Sequence, residues 1–235
     1  MFNQILKTAL TAGVLASIFL FAAHIAKTTP LILQAEVYEN AGPSSSAHTH
    51  SHDHQAAAPA AEAQPEPEEW TPEEGFERSA YTFLADLLVS CGFAFVLAGA
   101  IALSGRDIDW QSGMIWGLCG FAAFFAGPSF GLAPELPGMQ SADLQARQIW
   151  WLGTVIVTAG GLALIFFGPS RAMTAIGALL IVLPHVIGAP AHDFKPGGVP
   201  AELAAEFVAV TSVITCLFWL LLGGLTGYFY PRFEN

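Results

Sequence analysis

The stretch Ala80-Tyr-Thr-Phe-Leu-Ala-Asp86-Leu-Leu-Val-Ser-Cys-Gly-Phe-Ala-Phe-Val-Leu-Ala-Gly-Ala-Ile-Ala-Leu103 decides the fold. Wound as an α-helix it is about 36 Å long, enough to cross a hydrocarbon core of roughly 30 Å. Its one formal charge is Asp86. Comparable apolar runs cover about 5–26, 113–130, 149–168, 172–188 and 203–230. The chain therefore reads as an all-α integral membrane protein, a bundle of about six transmembrane helices forming a single membrane domain over 1–235. Trp110, Trp150, Trp151, Trp219, Tyr228 and Tyr230 fall mostly near the span ends, where amphipathic rings favour the headgroup level. Glycines within the spans (Gly117, Gly120, Gly160, Gly161, Gly223 and Gly224) predict close helix contacts.

Composition agrees. Of 235 residues 54% are hydrophobic and 11% charged, with a mean hydropathy of +0.53. A net charge of −11 with eight Lys and Arg excludes nucleic acid as a partner, because so few cations cannot neutralise a phosphate track. Cys91, Cys119 and Cys216 sit in separate spans and read as packing residues rather than a disulfide framework. Ten of the nineteen acids lie between Glu36 and Glu77, where they would concentrate cations at a pore mouth or simply solvate a tether.

The first run reads as a retained span rather than a cleaved signal, since no small-x-small site follows it. Beyond it, residues 40–69 form a flexible, acidic, His-rich loop with too little hydrophobicity to order itself. Its flanks, Pro30 to Glu39 and Trp70 to Phe76, carry apolar and aromatic residues suited to the membrane interface. Lys7, Arg106, Arg171 and Arg232 fall on one side of the membrane, and Lys27, Arg78, Arg147 and Lys195 on the other. The first four lie in the shorter connections and so dominate, which predicts both termini cytoplasmic and the His-rich loop outside. Each odd-numbered span leads through a Pro-rich outer segment into an acid-bearing start of the next, an arrangement open to reading as three two-helix repeats.

All seven histidines lie at or beyond that outer face. Imidazole is the commonest protein ligand for divalent transition metals, so the one-sided supply points to metal handling. His48, His50, His52 and His54, with Asp53, form the densest group; alternate residues of an extended segment project to one side and can share an ion. The same tract also fits a low-complexity insert. His24, His185 (in Leu183-Pro184-His185) and His192 could converge as a second site. Asp86, about two turns below the outer surface, costs a few kcal/mol in lipid unless paired or hydrated, which makes it a functional candidate. Pairing with a hydroxyl or with Arg78 is the structural alternative. Glu135 stands in a stiff Pro-rich turn, and Glu36 and Glu39, at i and i+3, can present to one ligand.

No nucleophile elbow, phosphate-binding glycine loop or His-Glu-x-x-His motif is present, so the chain is not read as an enzyme. No tightly bound cofactor is implied. Metal binding should weaken as pH falls through ~6.5, where imidazoles protonate.

Five ordered motifs resemble the CbtA family of predicted cobalt transporter subunits: Pro30-Leu-Ile-Leu-Gln-Ala-Glu36-Val-Tyr-Glu39, Pro134-Glu-Leu-Pro-Gly-Met139, Ala146-Arg147-Gln-Ile-Trp-Trp151, Leu183-Pro-His185-Val-Ile-Gly-Ala-Pro190 and Val199-Pro-Ala-Glu-Leu-Ala-Ala-Glu-Phe207. The resemblance runs from the first span to the last. It implies uptake of Co²⁺ across a bacterial cytoplasmic membrane, often in association with cobalamin synthesis, beside a small single-span His-bearing partner of the CbtB kind. It also implies five spans where hydropathy gives about six. The expected function is thus a permease subunit for a divalent transition metal, Co²⁺ first and Ni²⁺ or Zn²⁺ after it, in contact with lipid and open to homo-oligomerisation. The alternative is a membrane metal sensor or chaperone that delivers ions to another transporter.

Overall fold

The computed structural model describes residues 1–40, 72–191 and 198–234, and these hold helices and no strand. α1 (Phe2–Ala23) runs through a π-helical segment (His24–Thr28) into α2 (Thr29–Asn40). α3 (Phe76–Ser104) follows, then α4 (Trp110–Phe121), a second π segment (Ala122–Ala126) and α5 (Gly127–Ser129). α6 (Leu144–Phe167), α7 (Arg171–Ile187) and α8 (Ala201–Phe229) complete the bundle.

Helical rods thus stand at all six expected positions, but they differ in reach. Four are long and apolar enough to cross a membrane: Phe2–Glu39, Phe76–Ser104, Leu144–Phe167 and Ala201–Phe233. α7 is shorter, at 17 residues, because Ser170 caps its start and Gly188, at φ 88°, ends it. The rod at 110–129 is broken by its π segment.

The segment after Ala26 differs from expectation. Pro30 reads as a stop, yet the helix continues to Asn40. The Thr29 N–H donates to the His24 carbonyl, five residues back. This π step shifts the register, so Pro30 becomes the second residue of a new α-helix, where its missing N–H costs nothing. α2 then buries Leu31 and Ala35 against Leu136, Leu203 and Phe207. The second break uses the same device, with Gly127 N–H donating to Ala122 O just ahead of Pro128. Residues 41–71, which include nearly all of the expected flexible loop, lie outside the described residues.

Lipid gives no hydrophobic drive between helices, so close approach through small residues must hold the bundle. On α4, Gly113 and Gly117 face Gly223 and Gly227 of α8; a Cβ at any of the four would collide with backbone of the opposing helix. α6 and α7 meet in the same way, where a Cβ at Gly161 would come within 2.6 Å of Gly177 O. Gly160, by contrast, faces open space. The main core joins Ala9, Ala16 and Leu20 of α1, Ala94 and Leu97 of α3, and Ile214, Phe218, Trp219 and Leu222 of α8. Trp219 sits at its centre, against Phe93 and Phe124.

Three successive two-helix units are not the packing units. α1 does lie along α3, but α4 lies along α8 and α6 along α7. α4 with α6 and α7 with α8 share little surface.

Candidate metal site

Two of the expected residues meet. His24 Nδ1 lies 3.0 Å from Asp86 Oδ1 and 3.1 Å from Oδ2. Asp86 is 6% exposed, on a buried stripe of α3 with Ser90, Ala94, Leu97, Ala98 and Ile101. His24 opens the π segment of the facing rod. An acid at this depth loses a few kcal/mol of hydration, and the imidazole N–H returns part of it. With Nδ1 donating to the carboxylate, Nε2 is left as the nitrogen that can ligate a metal. Carboxylates orient metal-binding histidines in this way and raise their basicity.

Arg78, the other partner considered for Asp86, turns to α2 instead. Its guanidinium grips Glu36 with both arms, one N–H···O at 3.1 Å. Glu36 is therefore engaged by a cation, and Glu39 has no ion pair among the described residues. Glu39 stands where the turn at Gly138 packs onto the end of α2.

Glu135 and His185 line one open cavity of about 1160 Å³, with Met139, Gln140 and Trp150. His185 meets the edges of Phe130 and Trp150, with ring centroids 5.9 and 6.1 Å away. Glu135 pairs with Arg147 at 2.8 Å and accepts from the Ser141 hydroxyl at 2.5 Å. His48, His50, His52, Asp53, His54 and His192 lie outside the described residues. Among the described residues, no three of His, Cys, Asp and Glu gather into a group that could hold a metal ion. The pair His24–Asp86 and the cavity of His185 are thus two separate features.

Sequence reasoning placed both His24 and Asp86 near the outer face but did not join them. They stand 62 residues apart on two different helices, and no local spacing links them.

A family model described as probable cobalt transporter subunit (CbtA) matches residues 2–231. No curated protein and no solved structure matches the chain.

Proposed function

The chain belongs to the CbtA family of probable cobalt transporter subunits, and on that premise we propose that it is the permease subunit through which a divalent transition metal, Co²⁺ first, enters the cell. The observation that carries this reading is the His24–Asp86 pair, a half-buried imidazole oriented by a buried carboxylate and set between apolar helices. A merely structural polar pair in lipid is an expense that alanine would avoid, so its place between spans speaks for a task.

In this reading all six rods cross the membrane, with both termini cytoplasmic. His48, His50, His52 and His54, with Asp53, gather metal outside. The cavity of His185 and Glu135 receives it, with His192 and Glu39 as further ligands on the way. The ion then passes to His24 Nε2. Glu36, held by Arg78, braces α2 over that step and acts as a ligand only if the ion displaces the guanidinium. Nitrogen ligands favour Ni²⁺ and Cu²⁺ over Co²⁺ by affinity, so geometry must set the preference. The word subunit in the family description supports a partner, for which a small single-span protein of the CbtB kind is the candidate.

Liposomes containing a metal-sensitive dye test this directly. The purified chain, alone or with its partner, should admit Co²⁺ ahead of Zn²⁺ and Mn²⁺. Metal binding without flux from either preparation would transfer the assignment to the sensor or chaperone reading.

A further inference from the structure

α4 turns Gly113 and Gly117 onto α8. Another face of the same helix carries Ser112, Ile115, Trp116 and Cys119, spaced i, i+3, i+4 and i+7. Neither α3 nor α6 closes on that face, for each shares little surface with α4. The gap between the three helices is a cavity of about 780 Å³, distinct from that of His185 and Glu135.

Its shape and chemistry narrow what can fill it. Leu97 and Ala100 of α3 and Leu162 and Ala163 of α6 make the walls apolar. Leu103, Ile115, Phe166 and Phe167 line the cavity and are also exposed, so it opens sideways, where lipid lies. The far end stops at Phe124, which is stacked on Trp219 and stands 6.4 Å from the Trp151 ring. The lining stretches of α3 (96–104) and α6 (159–167) each rise about 12 Å, and that of α4 (112–124) about 18 Å. Half of a hydrocarbon core is roughly 15 Å, the reach of one leaflet's acyl chains. A membrane-spanning helix needs roughly twice that depth.

The charged and hydroxyl-bearing lining residues, Ser104, Arg106, Asp107 and Ser112, all gather at the opposite end, around the turn from α3 to α4. Arg106 donates to Phe166 O at 3.2 Å and lies over the Phe167 ring at 4.4 Å, which holds the guanidinium at the mouth. Its remaining N–H groups are left for a ligand. Neither Arg106 nor Asp107 forms an ion pair among the described residues. The mouth therefore offers one fixed cation and one carboxylate at headgroup level.

We propose that this cavity holds one acyl chain of a zwitterionic phospholipid, with the phosphate on Arg106 and the ammonium toward Asp107. The lipid supplies the packing that α3, α4 and α6 do not give one another. A purely anionic head would satisfy Arg106 and leave Asp107 facing like charge.

The test titrates the full chain in detergent with phosphatidylethanolamine brominated on its acyl chains, and follows tryptophan fluorescence. Bromine quenches a tryptophan that it touches, and Trp116 lines the cavity. Quenching should show a saturable phase, at one lipid per chain, that Trp116→Phe removes. Arg106→Gln should raise the half-saturating lipid concentration about fivefold, the scale of one cation at a phosphate surface. Ala163→Phe, which fills the cavity, should abolish the phase, whereas Gly160→Leu, facing open space on the same helix, should leave it. Brominated phosphatidylglycerol should bind more weakly, and equal affinity would overturn the headgroup assignment. Quenching of Trp116 that never saturates, or that ignores both Arg106→Gln and Ala163→Phe, would overturn the site. So would protection of Trp116 from bromine on adding the partner subunit, which would give the groove to a helix. Every readout is free of metal, so the lipid site stands or falls apart from the ion path.

Discussion

His24 spends Nδ1 on Asp86, and an imidazole so engaged keeps one nitrogen for a metal. The two residues should therefore fail differently. His24→Ala removes the ligand. Asp86→Asn keeps the shape and removes the charge that orients and strengthens it. We expect Asp86→Asn to weaken Co²⁺ binding about 10–100-fold, the usual effect of losing an outer partner of a metal ligand, and His24→Ala to weaken it more. Calorimetric titration of the detergent-solubilised protein checks the order; equal, small losses would contradict it. At this scale the sequence was informative about residue types and poor about pairs. Asp86 stood out because charge in an apolar run is costly, and His24 because the expected spans put every histidine toward one face. Arg78 looked like a partner for Asp86, two turns up the same helix, but its long side chain reaches Glu36 across the α2–α3 contact. No hydrophobic pattern encodes that choice.

Among the elements, glycine does two distinct jobs. Gly105 ends α3 in the left-handed region at φ 61°, whereas Gly113, Gly117, Gly223 and Gly227 exist for contact. Gly117→Leu would drive a side chain into the backbone at Trp219. It should separate α4 from α8 and lower stability by at least the about 1–3 kcal/mol of ordinary overpacking. Thermal unfolding in detergent measures this, and Gly160→Leu, which faces open space, is the control that should do little. α4 also has a pH signature. Hydrogen bonds from the Ser112 hydroxyl, and then its N–H, hold the Asp109 carboxyl below its usual range. A carboxylate depressed in the folded state stabilises fully above its unfolded pKa, and the benefit fades as pH falls through the lower folded value. Asp109→Asn, which still caps, should remove that dependence from the acid side of the unfolding curve. The hydropathy runs placed these rods correctly. α2 was read as an interfacial flank rather than a continuation of the first span; Pro30 interrupts an α register but is a permitted second residue after a π step. That difference is a matter of one backbone hydrogen bond.

For the whole molecule, apolar length told how many rods to expect and almost nothing about which rods meet. The pairing of α4 with α8 and of α6 with α7 follows from Gly-to-Gly contacts that are visible only once both helices are placed. If, as proposed, the His-rich loop collects metal and the His24–Asp86 pair lies on the path, the two parts should separate in uptake kinetics. Deleting Ala47–Gln55 should then raise the Co²⁺ concentration needed for half-maximal uptake and leave the maximal rate nearly unchanged. Loss of the maximal rate would place an essential ligand in the loop. Passage of the ion by way of the pair is met most directly by one comparison: Co²⁺ entry into liposomes holding the wild-type chain with its partner, against the same preparation carrying His24→Ala and Asp86→Asn. Entry should be saturable in the first and no faster than into empty liposomes in the second. Equal flux from both would show that the ion does not pass His24 and Asp86.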